Sequence, residues 1–242
     1  MNLIIDVGNS WVKLAVYNDK QIVHHKTISM ADLKQEVQKA LRAYPKIKYS
    51  ILSAVAPVEY EIIDLLKSNS QCHVLHSDSR IPFKNRYGTP DTLGLDRMAL
   101  VAAASEAYPN TNVLIIDAGS CITYDFLNAR GEYLGGAISP GIHMRYNALH
   151  TFTANLPRLE FQEPVNLVGN TTDTSIHSGV IHGVIGEVDG VIDRYNAEHR
   201  RLSVVLTGGD GPFLSKRLKN TIFAHSNFLL EGLNYLLELN KH

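Results

Sequence analysis

Residues 2–10 read NLIIDVGNS, and residues 112–121 read NVLIIDAGSC. When Asp6 is aligned with Asp117, five positions are shared about 111 residues apart. In each copy an apolar run ends in Asp-x-Gly and a polar residue, which is typical of a buried strand that turns into a hairpin. A repeat of this length indicates a duplicated domain rather than a solenoid. We therefore predict two domains, residues 1–110 and residues 111–242.

The hydrophobic pattern after each copy predicts a similar order of elements. Alternation of apolar and polar residues predicts strands, and the spacing of Leu33, Val37 and Leu41 predicts a helix. In the first half we expect strands at 2–6, 11–17, 20–28, 48–55 and 72–76, and helices at 30–43 and 57–68. In the second half we expect strands at 112–117, 120–127, 132–138 and 202–207, and helices at 141–150, 173–198 and 227–239, with a helix and a short strand between the last strand and the last helix. The fold class is therefore α/β.

The overall composition is that of a folded globular protein, with 45% hydrophobic and 19% charged residues. Lys and Arg number 23 against 24 Asp and Glu, which gives a net charge of -1 and disfavours nucleic-acid or acidic-membrane partners. The two cysteines fit a reducing compartment, and the N-terminus lacks the uninterrupted apolar segment of a signal peptide. We expect a cytoplasmic protein without a membrane span.

The first Asp-x-Gly turn has the features of a phosphate-binding turn. Gly8 lets a ligand approach the backbone closely, and the N–H groups beside it can bind an anion. Asn9 and Ser10 add side-chain donors, Lys13 can reach a phosphate, and Asp6 can hold Mg²⁺. A plain hairpin turn is the alternative.

The second turn, Asp117 to Ser120, is expected to bind the same nucleotide from the other side of a cleft. Two acidic turns can hold a polyphosphate only with cations between them, which implies Mg²⁺ or a monovalent ion. Residues 208–211, GGDG, follow an apolar strand and either contact the nucleotide or form a simple strand-to-helix turn. The chain contains no Walker A pattern and no protein-kinase H-R-D or D-F-G set.

A third acid lies in the segment between the two repeats. Asp96 and Arg97 begin an alanine-rich helix, where a carboxylate is also favoured by the helix dipole alone. In the functional interpretation, Asp96 accepts a proton from a substrate hydroxyl and Arg97 holds a substrate anion.

Several spaced motifs together resemble those of type III pantothenate kinases. They are DVGNS at 6–10, YGTPDTLGLDR at 87–97, DAGSCIT at 117–123, GGAISPGI at 135–142, NTTDTSIHSG at 170–179 and LTGGD at 206–210. The resemblance covers nearly the whole chain in order. It implies an actin- and sugar-kinase-like (ribonuclease H-like) fold, with two duplicated domains whose mixed sheets are flanked by helices. It also implies ATP-dependent phosphorylation of pantothenate to 4′-phosphopantothenate, the first step of coenzyme A biosynthesis.

The resemblance also implies a role for individual residues. ATP would contact Ser120 and the stretch Asp6, Val7, Gly8, Asn9, Ser10, Trp11, Val12 and Lys13. Pantothenate would contact Tyr87, Gly94, Leu95, Asp96, Arg97 and Thr172, with Asp96 as the proton acceptor. Asp117 would hold a monovalent cation, K⁺ or NH₄⁺, and Asp6 is the candidate partner of Mg²⁺. The family commonly has Thr where this chain has Ser10 and Ser120, and each replacement keeps the hydroxyl.

A stripe of glycines marks one face of the predicted 173–198 helix, at Gly179, Gly183, Gly186 and Gly190. Because glycine weakens helices, the stripe indicates close approach of another backbone, either within one subunit or in a homodimer. The resemblance implies a homodimer.

The histidines do not suggest a metal site. His73 and His76 are three apart on a predicted strand and are expected to face opposite sides.

Two other functions fit parts of the sequence. One is a kinase for a sugar or another small hydroxylated acceptor, which a substrate panel would distinguish. The other is a nucleotide-binding regulator that binds ATP without turnover, although the set Asp6, Asp96 and Asp117 weighs against it.

Overall fold

The computed structural model describes residues 1–241. In chain order, the first part contains β1 (Asn2–Val7), β2 (Val12–Asn18), β3 (Gln21–Ile28), α1 (Leu33–Ala43), β4 (Tyr49–Ala54), α2 (Tyr60–Asn69), β5 (Gln71–Val74), β6 (Lys84–Asn85) and α3 (Leu95–Ala107). The second part contains β7 (Asn112–Ala118), β8 (Cys121–Leu127), β9 (Glu132–Pro140), α4 (Ile142–Thr151), α5 (Thr172–Glu198), β10 (Leu202–Thr207), α6 (Gly211–Leu214), β11 (Phe223–Ala224) and α7 (Phe228–Asn240). The strands and helices expected from the sequence are confirmed, with small shifts at their ends, whereas β6 was not predicted.

The chain forms two compact units. The first contains residues Met1–Pro109 and Gly131–Leu134, together with α7. The second contains Asn110–Arg130 and Gly135–Ser226. The division of the chain into domains 1–110 and 111–242 stays a prediction, and the units differ from it because α7 and the start of β9 lie with the first part of the chain.

Each unit is built on a sheet with the same strand order. In the first unit the order is β3-β2-β1-β4-β5, with β1 antiparallel to β2 and parallel to β4. In the second sheet the order β9-β8-β7-β10-β11 repeats it, with β7 antiparallel to β8 and parallel to β10. The equivalence of β1 and β7 confirms the internal duplication that the Asp-x-Gly repeat predicts.

Alternate residues of the strands form an apolar core on one face of the sheet in each unit. In the first, Leu3, Ile5 and Leu14 pack with residues of α1 and α2. In the second, Leu114 and Ile116 pack with α4 and α5. Each fully buried side chain of this kind stabilises the fold by roughly 1.5–3 kcal/mol. Because strand side chains alternate, the aspartates of the two repeats lie on the opposite face of each sheet from these residues.

Helix α7 completes the first unit by packing on α3, β1 and β4. Its Gly232 lies so close to α3 that an added Cβ would be 2.7 Å from the carbonyl carbon of Ala99. This close crossing explains why the C-terminal helix belongs with the N-terminal residues, a long-range contact that no local pattern predicts.

Among the helices of residues 1–241, none combines the length and the hydropathy needed to cross a bilayer.

Candidate active site

The turn after β1 presents polar groups at the end of a buried strand. Asp6 is only 5% exposed. The Gly8 N–H donates to the Trp11 carbonyl over 3.1 Å, which closes the hairpin turn. Asn9 and Ser10 are exposed, and the Trp11 side chain is 59% exposed. The turn therefore offers backbone and side-chain donors to a ligand, with a carboxylate behind them.

Asp6 has polar neighbours on both adjacent strands. It lies in register with Lys13 of β2 and with Ser53 of β4. Residues in register on neighbouring strands point to the same face of the sheet. Ser53 is fully buried, and its Oγ has no hydrogen-bond partner within residues 1–241. Oxygen ligands of this kind suit Mg²⁺, so the residues fit the divalent cation that the sequence implies.

Four of the predicted acceptor-site residues come together at the start of α3. The carboxylate Oδ1 of Asp96 accepts a hydrogen bond from the Arg97 N–H over 2.8 Å. Gly94 leaves room for this carboxylate, since an added Cβ would lie 2.5 Å from Oδ1. The Arg97 guanidinium lies 5.6 Å from the ring centre of Tyr87, at cation–π distance.

An aromatic layer supports this cluster. Tyr133 is fully buried, stacks on Tyr87 at 6.0 Å and meets Phe83 edge-on at 5.9 Å. The backbone of the segment is held in place because the Arg86 N–H donates to the Tyr133 carbonyl over 2.9 Å. Arg97 itself is 5% exposed. A guanidinium in general can form charge-assisted, bidentate hydrogen bonds with a carboxylate, which is the chemistry that the sequence predicts for Arg97.

The second Asp-x-Gly turn is held between two glycines. An added Cβ on Gly208 would lie within 2.5 Å of the Ala118 carbonyl carbon, and it would also overlap Asp117 Oδ1. On the other side, an added Cβ on Gly141 would lie 2.5 Å from the Ser120 carbonyl oxygen. These two positions exclude any side chain, so the turn that carries Asp117 is closely packed.

Asp210 closes the loop that packs on this turn. Its N–H donates to the Ala118 carbonyl over 2.9 Å. Burial raises the pKa of the Asp210 carboxyl, and the nearby His143 opposes this shift. The loop 208–211 thus lies directly against the turn that is predicted to bind nucleotide.

Thr172, another of the predicted substrate contacts, lines a groove of about 1160 Å³ in the second unit. The groove runs between α4 and α5 and is mostly apolar, with Leu149, Phe152 and Ile176 in its walls. Thr171 caps α5, because its side chain accepts a hydrogen bond from the Thr174 N–H. Thr172 therefore lies in the first turn of a capped helix and is exposed.

A polar network fixes the walls of the groove. Arg145 of α4 donates to the Glu187 carboxylate of α5 over 2.5 Å, and Tyr124 donates to the same carboxylate over 2.9 Å. Burial raises the pKa of Glu187, but the hydrogen bonds from Arg145, Ser139 and Tyr124 outweigh it and leave the pKa below its ordinary value. The network ties α4 to α5 and to β8.

The sequence identified most of these positions but missed some of their partners. Tyr133 has no local signal, because its role depends on stacking with Tyr87. Ser53 and Thr123 are the register partners of Asp6 and Asp117, and register follows from strand order rather than from local pattern. Gly141 lies within the quoted GGAISPGI motif, and its close contact with Ser120 was not predicted.

The expectation that His73 and His76 face opposite sides was wrong. Strand β5 ends at Val74, and the two rings lie 5.8 Å apart. His73 Nε2 and the Ser79 hydroxyl are 2.9 Å apart at hydrogen-bond distance. The strand is shorter than the sequence predicted, so alternation does not apply at His76.

The fold defines the class of protein. A solved structure of a Baf-family protein from Campylobacter jejuni aligns with a TM-score of 0.62 and 21% identity, over 98% of both chains. A glucokinase from an Antarctic psychrotroph aligns with a TM-score of 0.52 and 13% identity, also over 98% of both chains. At these identities the likeness concerns the fold, which is that of the actin- and sugar-kinase-like proteins.

The family follows from sequence. The family model of type III pantothenate kinases matches residues 2–194. A relative in Christiangramia forsetii named type III pantothenate kinase is 46% identical over 241 residues, which is 100% of this chain and 99% of that protein. This chain belongs to the type III pantothenate kinase family.

Proposed function

We propose that this chain transfers the γ-phosphoryl group of ATP to the hydroxyl of pantothenate, the first step of coenzyme A biosynthesis, in the cytoplasm. Membership of the kinase family supports the reaction, and the assembled cluster of Tyr87, Gly94, Asp96 and Arg97 is the observation that supports the acceptor site. Both cysteines are free, which suits a reducing compartment.

Asp96 is the proposed proton acceptor. Its carboxylate is oriented because Oδ1 accepts the Arg97 N–H, and the missing side chain of Gly94 gives it space. The substrate hydroxyl loses its proton to this carboxylate as its oxygen attacks the γ-phosphorus, and the bond from the γ-phosphorus to the β–γ bridging oxygen breaks to release ADP. Arg97 holds the substrate carboxylate, and Tyr87 fixes the direction of the guanidinium. Thr172 supplies a further hydroxyl contact to the substrate.

The two turns are the proposed sites for the nucleotide and its cations. Residues 6–13 and Ser120 contact ATP, Asp6 holds Mg²⁺, and Asp117 holds K⁺ or NH₄⁺. When bound beside these aspartates, Mg²⁺ and a monovalent cation would supply positive charge that neutralises the phosphates. The exposed donors of the first turn and the oxygen ligands beside each aspartate support these roles.

A homodimer is part of the proposal. An added Cβ at Gly179, Gly183, Gly186 or Gly190 would meet nothing within 4 Å in residues 1–241, apart from the local helix backbone. No other part of the described chain therefore packs closely on these glycines. This disfavours the interpretation that the stripe serves packing within one subunit. Each glycine weakens the helix by about 1 kcal/mol relative to alanine. A second copy of the chain packed on this face explains the stripe, because glycines allow its backbone to approach the helix closely.

The proton-acceptor role is tested with Asp96→Asn, with Asp91→Asn as the matched control in the same segment. Removal of a general base should lower kcat by about 10²–10⁴-fold. Asp91 is exposed, and its replacement should leave the rate unchanged. Nucleotide binding, followed by fluorescence of the single tryptophan, Trp11, should be similar in both variants. Near wild-type turnover by Asp96→Asn would show that another group accepts the proton.

A further inference from the structure

The two repeats differ in the residue that lies opposite the shared aspartate on the antiparallel neighbour strand. In the first unit, Asp6 lies opposite Lys13 of the antiparallel neighbour strand. In the second unit, Asp117 lies opposite Thr123 in the equivalent register. On the parallel neighbour strand the repeats agree, since Ser53 and Thr207 both carry a hydroxyl. A lysine in one copy therefore corresponds to a neutral threonine in the other.

Thr123 has the features of a ligand for a cation. The residue is 91% buried, since its exposed fraction is 9%, and its Oγ1 has no hydrogen-bond partner in the described chain, residues 1–241. A buried hydroxyl without a partner is costly in free energy, and such groups in native proteins usually have a bound ion or water. Its register with Asp117 places both side chains on the same face, with Cβ atoms roughly 4.5–5.5 Å apart.

We infer that Thr123 Oγ1 is a ligand of the monovalent cation at Asp117, and that this cation supplies the positive charge that Lys13, the register partner of Asp6, carries in the first repeat. The inference rests on the proposed function, which puts a monovalent cation at Asp117. A carboxylate and a hydroxyl are oxygen ligands of the kind that alkali cations prefer. One repeat carries its positive charge on a side chain, whereas the other binds it from solution.

The ligand role is tested with Thr123→Val, which keeps the shape and removes the hydroxyl, and with Thr123→Ser as the matched control. Thermal unfolding is followed against KCl concentration at constant ionic strength, with choline chloride as the replacement salt. Because a ligand that binds only the folded state raises its stability, the KCl dependence reports the cation affinity. Thr123→Val should weaken the apparent K⁺ affinity about tenfold, and Thr123→Ser should stay within about twofold of wild type. Equal K⁺ affinity in wild type and Thr123→Val would overturn the ligand role.

The correspondence between the cation in the second repeat and the lysine charge in the first is tested with Thr123→Lys. This variant should bind a non-hydrolysable ATP analogue without K⁺ about as tightly as wild type binds it at saturating K⁺, measured by Trp11 fluorescence. Its unfolding temperature should no longer respond to KCl. A folded Thr123→Lys protein that still requires K⁺ to bind the ATP analogue would overturn this part of the inference. If Thr123→Lys does not fold, the comparison of Thr123→Val with Thr123→Ser still decides whether Thr123 is a ligand of the cation.

Failure of the proposed cation site, as distinct from failure of pantothenate phosphorylation itself, has a different signature. If wild type phosphorylates pantothenate with no response to K⁺ in rate, binding or unfolding, the monovalent cation is absent from the mechanism and the inference falls with it. If wild type responds to K⁺ and Thr123→Val responds equally, the cation site stands and Thr123 is not its ligand.

Discussion

Replacement of Gly208 by alanine should displace the turn that carries Asp117. Gly208 has a φ of +92°, a region that residues with side chains rarely adopt. Its added Cβ would lie within 2.5 Å of the Ala118 carbonyl carbon and would overlap the Asp117 carboxylate. Backbone atoms cannot rotate away as the end of a flexible side chain can, so either the loop or the turn must move.

The cost follows from two contributions. Holding a residue other than glycine at positive φ costs about 1–3 kcal/mol. Relief of the overlap adds about 1–3 kcal/mol, as in other overpacked sites. Together they predict a loss of roughly 2–6 kcal/mol, which for a chain of this length lowers the unfolding temperature by roughly 4–24 °C.

The assay compares Gly208→Ala with Gly209→Ala. Gly209 has no atom of residues 1–241 within 4 Å of its added Cβ and no positive φ, so its replacement should change stability by less than about 0.5 kcal/mol. Circular dichroism gives the unfolding temperature, and Trp11 fluorescence gives the affinity for an ATP analogue. We expect a large loss of stability, of nucleotide affinity, or of both, in Gly208→Ala alone. An unfolding temperature and an affinity equal to those of wild type would refute the close packing of Gly208 on Asp117.

Three further changes test other parts of the structure. Hydrogen bonds from two lysines hold the pKa of Glu36 at about 2 instead of 4.5, so Glu36→Gln should be less stable than wild type above pH 4.5, with a deficit that disappears as the pH falls towards 2. Urea unfolding at several pH values measures this, and a deficit independent of pH would contradict it. Gly186→Leu should convert a dimer to a monomer in sedimentation, whereas an unchanged mass with a more stable helix would contradict a contact at that face. Gly232→Ala should lower stability by about 1–3 kcal/mol, because α7 must move away from Ala99, and calorimetry showing no change would contradict that crossing.

Much of the fold follows from local sequence. The apolar runs that end in Asp6 and Asp117 predict two equivalent strands, and the matching strand orders confirm them. The positions of Gly8 and Ser120 follow from the same repeat. The place of α7 does not, because it depends on contacts between residues more than 100 positions apart, such as Gly232 and Ala99.

The residues of the candidate site could be predicted where they lie next to one another in the sequence. Asp96 and Arg97 are adjacent, so a short motif carries both. The partners of the aspartates were not predictable, since a residue such as Thr123 acquires its role only when the β7–β8 register places it opposite Asp117. Tyr133 likewise becomes part of the site only through the pairing of β9 with the two-residue strand β6.

Phosphoryl transfer itself is measured most directly by ADP release in the presence of ATP, Mg²⁺ and K⁺, with mass spectrometry of the acceptor. ADP should form only when pantothenate is added, and pantothenate should become heavier by one phosphoryl group. Release of ADP that does not depend on pantothenate, or transfer to a sugar in its place, would contradict the proposed acceptor.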